Sequence, residues 1–136
     1  MAIRVLVADR SAPFRDAIRR VLDVYPGCTP IGEAADLTEA ATLALESRPD
    51  LALLDFDLVA NDEADQMRRL TEGSLSLRVV VLLSEYSDDY RVAVQLRWGY
   101  MCMAKDRLEE HLARILGDIK PVPVQQRVAR TRGAAT

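Results

Sequence analysis

Residues 48–55 read Arg48-Pro49-Asp50-Leu51-Ala52-Leu53-Leu54-Asp55, four apolar residues held between a proline and an acid. A run this short, with no polar residue alternating inside it, suits a strand covered on both faces, as in a parallel sheet between helical layers. Pro49 ends the helical pattern before it, because proline disfavours the helical conformation in its predecessor. Asp55 then stands at the carboxyl end of the strand, the edge at which open α/β sheets bind ligands.

The same pattern recurs outward along the chain. Residues 3–8 (IRVLVA), 29–33, 79–83 and 100–104 are further short apolar segments, each separated from the next by a helical pattern. After the first, Phe14, Ala17, Ile18, Val21 and Leu22 fall at helical spacing, with Ser11 as N-cap, Pro13 tolerated in the first turn and Pro26-Gly27 as the stop. Asp36 with Glu39 makes a capping-box-like start for the helix that ends before Pro49. Asp106 with Glu109 repeats it ahead of the stripe Leu108, Leu112, Ile115, Leu116 and Ile119. Five strands alternating with helices predict an α/β fold with a doubly wound, five-stranded parallel sheet. Pro30 lies inside the second strand and proline is confined largely to edges, which selects the flavodoxin-like order 2-1-3-4-5.

Composition bounds the rest. The 136 residues, 49% hydrophobic and 29% charged, suffice for one domain with its own core. Residues 1–120 are expected to form it, and 121–136, carrying Arg127, Arg130 and Arg132, to be a flexible basic tail or linker. A formal net charge of -3 gives the domain no electrostatic reason to bind nucleic acid or an acidic membrane. Cys28 and Cys102 form no metal-ligand pattern, so free thiols in a reducing cytoplasm are expected. No apolar run approaches the roughly 20 residues that span a bilayer.

Beyond the carboxyl ends of the predicted strands lie Asp9, Asp55, the pair Leu83-Ser84, and Lys105. Two acids and a lysine converging there suit a hard cation and a phosphoryl group: carboxylates hold Mg2+, and an ammonium neutralises transferred oxygens. A carboxylate can also be the nucleophile and form an aspartyl phosphate. A phosphate-cradling glycine loop, which a flavin or nucleotide binder would need, is missing from Asp9-Arg10-Ser11-Ala12-Pro13-Phe14.

These stretches, IRVLVAD, FRDAIRRVL, IGEAAD, RPDLALLDFDL, RVVVLLSEYSDDY and AKD, resemble the receiver domains of bacterial response regulators over about residues 2–120, especially receivers followed by LuxR-type helix-turn-helix domains. The resemblance implies a two-component signalling domain that is not an enzyme. It puts Asp55 at the phospho-acceptor position, Lys105 on the phosphoryl group, and Asp9, Asp55 and the backbone carbonyl of Asp57 around Mg2+. It also implies a histidine kinase or other phosphodonor as partner, homodimerisation through family surfaces, DNA contact only through an output domain absent from this chain, and a cytoplasmic location without membrane contact.

Three residues depart from the family pattern. Arg10 replaces the second acid of the metal pair, so Mg2+ is expected to bind weakly or not at all, and its guanidinium can pair with Asp9 or Asp55 in the metal's place. Leu83 occupies the place of the Thr or Ser that hydrogen-bonds the phosphoryl group, with Ser84 expected to point away. Cys102 stands where the fifth strand usually carries an aromatic switch residue, and DLVAND follows Asp55 instead of an MPGMDG-type loop. The leading expectation is a receiver phosphorylated on Asp55. The alternative is a pseudo-receiver, a phosphorylation-independent interaction or dimerisation module.

Overall fold

The computed structural model describes residues 2–72, 76–85 and 87–119. Five strands, β1 (Ile3–Ala8), β2 (Cys28–Ala34), β3 (Leu51–Asp55), β4 (Arg78–Leu83) and β5 (Met101–Ala104), form one sheet in the order β2-β1-β3-β4-β5 with every neighbouring pair parallel. Among the described residues five helices connect them, α1 (Ala12–Asp23), α2 (Leu37–Ser47), α3 (Phe56–Ala60), α4 (Gln66–Glu72) and α5 (Asp88–Trp98), and α6 (Leu108–Gly117) follows β5. This is the flavodoxin-like receiver architecture expected from the strand and helix alternation. The basic tail expected at 121–136 lies outside the described residues.

Pro30 does sit on an edge strand, and it marks an irregularity there. Val5 pairs with Pro30 and Leu6 with Gly32, so Ile31 is the extra residue of a bulge. Proline brings no N–H to the ladder, and an edge strand tolerates the loss.

Two of the three predicted caps form. Ser11 Oγ accepts from the Phe14 N–H at 3.2 Å, and Asp36 Oδ1 from the Glu39 N–H at 2.8 Å. The third differs. Asp106 lies inside a 3-10 turn, Lys105–Arg107, and α6 begins at Leu108 with no side-chain cap. Leu108 is buried as the first residue of α6, so the apolar stripe rather than Asp106 sets where the helix begins.

Side-chain alternation along the strands divides the core into two layers. Leu6, Ala8, Ala52, Leu54, Val81 and Leu83 face one side, under α2 to α5. Val5, Val7, Leu51, Leu53, Val80 and Leu82 face the other, packed by Ile18 and Leu22 of α1 and Leu112 and Ile115 of α6. Both cysteines are free, Cys102 buried and Cys28 partly so. Among the described residues, no helix is long and apolar enough to cross a membrane.

Candidate functional site

The carboxyl ends of β1, β3 and β5 converge on one cluster of charges. Asp9, the residue after β1, is buried, and all its polar groups are used. Its N–H donates to the Ala34 carbonyl, its Oδ1 accepts from the Ser11 N–H at 2.8 Å, and its carbonyl accepts from the Arg15 guanidinium. Its Oδ2 accepts from Lys105 Nζ at 2.6 Å. Lys105, the residue after β5, also places that ammonium 2.8 Å from Asp55 Oδ1 and 4.5 Å from the centre of the Phe14 ring. One cation therefore joins two carboxylates that are 3% and 5% exposed.

The electrostatics follow from that ratio. Burial pushes the Asp55 carboxyl above its ordinary pKa; the bond to Lys105 opposes this, while the charges of Asp9 and Asp57 reinforce it. Burial pulls the Lys105 ammonium down, but its bonds to Asp55 and Asp9 outweigh that and hold its pKa above the usual lysine value.

Arg10 takes no part in the cluster. It is exposed and has no ion pair among the described residues. It lines a cleft of about 570 Å³ with Asp36, Asp57, Asp62 and Glu63. The expected alternative in which its guanidinium pairs with Asp9 or Asp55 is therefore corrected: Lys105 holds that place, and both Asp9 oxygens already have donors.

Leu83 closes β4, and Ser84 follows it. Leu83 packs in the same layer as Leu54, whereas Asp55, one residue further along β3, turns to the opposite face. The register pairs Asp55 with Leu82, so the β4 residue that continues on the Asp55 side is Ser84. Leu83 and the exposed Ser84 both line, with Asp55, a pocket of about 280 Å³.

Cys102 is buried in the layer that contains Val94 and Leu83, where burial pushes its thiol pKa up against the lowering charge of Arg91. Trp98 and Tyr100 pack on the same layer, and Phe56 meets Trp98 edge to face at 6.3 Å. An apolar residue of modest volume thus stands where an aromatic was expected, with aromatics filling the space around it. His111 is partly exposed on α6, 3.4 Å from Arg114.

The expected Mg2+ set does not fit this arrangement. The Asp57 carbonyl, meant as the backbone ligand, lies in α3 and accepts from both the N–H of Asn61 at 3.2 Å and its side-chain amide at 2.7 Å. Asp9 spends its oxygens on Ser11 and Lys105, and Arg10 brings a permanent cation where an acid was needed. Among the described residues, no three His, Cys, Asp or Glu side chains are grouped to hold a metal ion.

A doubly wound parallel sheet with two acids and a lysine at its switch edge defines the receiver class. Comparison with known proteins makes the class specific. No family model matches the chain. Over 113 residues, 82% of the chain, it is 29% identical to the nitrate/nitrite response regulator NarL of Escherichia coli, covering 52% of that protein. Over 135 residues it is 28% identical to a protein-glutamate methylesterase/protein-glutamine glutaminase of Alkalilimnicola ehrlichii, covering 34% of it. Among solved structures, the signal receiver domain of a response regulator, NarL, from Mycobacterium tuberculosis superposes with a TM-score of 0.69 at 25% identity, over 86% of this chain and 94% of that one. In fold and in sequence the chain resembles response-regulator receiver domains, and it spans about half or less of the length of these curated relatives.

Proposed function

We propose that this receiver accepts a phosphoryl group on Asp55, from a histidine kinase or another phosphodonor, and relays a conformational signal to a partner or to a DNA-binding output domain. The observation that carries this reading is the Lys105 ammonium between Asp9 and Asp55, 2.6 and 2.8 Å from their oxygens. A carboxylate is a competent nucleophile toward a phosphoryl group, and a cation already in place neutralises the charge that develops on the transferred oxygens. The Asp55 oxygen not bound to Lys105 is the attacking atom, and Asp55 lines a pocket with Asp57, Leu83 and Ser84. The signal leaves as a shift between two conformations, since a doubly charged group beside Lys105 must redistribute the bonds of Asp9 and Asp55. The domain acts in the cytoplasm.

A second reading, the phosphorylation-independent interaction or dimerisation module, is favoured by the same saturation. Lys105 bridges the two acids with no phosphate present, and the Mg2+ set is incomplete. Acetyl phosphate, added with Mg2+ and separately with a chelator, distinguishes the two by intact mass. One added phosphoryl group, lost in Asp55→Asn, is the expected result. No modification in either condition makes the interaction module the function.

A further inference from the structure

The most telling feature outside the charged cluster is the turn that follows β3. An MPGMDG-type loop cannot be helical throughout, because proline excludes the helical conformation from its predecessor and glycine weakens helix propagation. This chain has Leu58-Val59-Ala60 there, three residues that accept helical geometry, and α3 starts directly after Asp55. The consequence is local and geometric. A carbonyl inside a helix points along the axis toward the residue four positions on, and the Asp57 carbonyl meets the Asn61 N–H at 3.2 Å. Asn61 then adds its side-chain amide to the same oxygen at 2.7 Å. A carbonyl oxygen has two lone pairs, and both are engaged.

We infer that Asn61 and the helical turn Phe56–Ala60 close this receiver to divalent cations independently of Arg10, leaving the Lys105 ammonium as the resident cation of the site. Two separate obstacles stand in a cation's way. Arg10 removes a carboxylate ligand, and the turn removes the backbone ligand. Mg2+ demands near-ideal octahedral oxygen coordination, so restoring one ligand of the two leaves the site incomplete. Asp9 adds to the closure, since its oxygens hold the Ser11 N–H at 2.8 Å and Lys105 at 2.6 Å. A lysine spanning two acids offsets one of their two negative charges, and does so without dissociating.

This inference does not depend on whether Asp55 is phosphorylated, and its failure is distinguishable from failure of that reading. The probe is Mn2+, followed by the electron paramagnetic resonance signal of the free ion in a titration of the whole chain. Wild type and Arg10→Asp are both expected to leave the signal of millimolar Mn2+ unchanged. Arg10→Asp combined with Val59→Pro and Ala60→Gly, which unwinds the turn, is expected to bind with at least a tenfold gain over either. Should that variant fail to fold by circular dichroism, Arg10→Asp with Asn61→Pro, which removes both donors from the Asp57 carbonyl, replaces it and carries the same expectation. Binding by wild type or by Arg10→Asp alone overturns the inference, as does a folded combined variant that still takes no Mn2+. A phosphoryl group transferred to Asp55 only when Mg2+ is present also overturns it, while leaving Asp55 as the acceptor.

Discussion

Lys105 Nζ lies 2.8 Å from Asp55 Oδ1, a bond between the residue after β5 and the residue that ends β3, with β4 lying between those strands in the sheet. The Lys105 side chain is only 16% exposed, so its loss strands two buried carboxylates beside each other. Removing one member of a buried ion pair typically costs about 3 kcal/mol or more, because the remaining charge stays desolvated. Lys105→Met is therefore expected to lower the unfolding free energy by about 3 kcal/mol in urea, and adding Asp55→Asn to restore part of it. Equal stability of Lys105→Met and wild type would remove the bridge from any account of the fold.

The pKa directions set a pH dependence on each flank. The folded state raises the Asp55 pKa, so it binds that proton more tightly than the unfolded chain does. Stability thus falls as pH rises from the ordinary carboxylate value, about 4, through the folded value, and the cost persists at neutral pH. Asp55→Asn should flatten this acid-side slope. Lys105 is also raised, so its contribution is complete below the ordinary lysine value of about 10.4 and is lost as pH rises through the folded value. Unfolding titrations from acid to alkaline pH test both, and an acid-side slope unchanged in Asp55→Asn contradicts the first.

Helix starts provide a sharper local test. Asp36 Oδ1 caps α2 through the Glu39 N–H, while Asp106, with the same spacing to Glu109, caps nothing. Asp36→Ala should cost about 1 kcal/mol, and Asp106→Ala should stay within about 0.5 kcal/mol of wild type. Equal losses from the two would return Asp106 to the capping role its spacing suggests.

That contrast shows what the sequence made legible. Short apolar runs between helical patterns, with Pro30 inside the second run, specified the strand order, because burial on both faces and the missing proline N–H are local requirements. Asp9, Asp55 and Lys105 were legible for the same reason: each directly follows or ends a buried run, and parallel strands bring such ends together. Whatever depended on a single residue of phase was not. The face of Ser84 follows from the pairing of Asp55 with Leu82, a register between strands that no spacing within one strand reveals. The two hydrogen bonds from Asn61 to the Asp57 carbonyl required knowing that residues 56–60 are helical, which a segment of only five residues does not announce.

The phase of β4 yields the last prediction. Leu83 is 2% exposed in the layer with Leu54 and Val81, and Ser84 is exposed beside the Asp55 pocket. Truncating Leu83 to alanine empties a filled core position, which costs about 3 kcal/mol within the usual range for buried leucines. Ser84→Ala removes only a hydroxyl at the surface and should change stability by less than about 0.5 kcal/mol. Their effects on a phosphoryl mimic should be the reverse. With beryllofluoride as the probe, Ser84→Ala is expected to weaken binding about tenfold, the worth of one charge-assisted hydrogen bond of about 1.4 kcal/mol. Leu83→Ala, compared at a temperature where both variants are folded, should bind as wild type does. If Leu83→Ala weakens the mimic and Ser84→Ala does not, the apolar side chain, which also lines the Asp55 pocket, and not the hydroxyl, contacts the bound group.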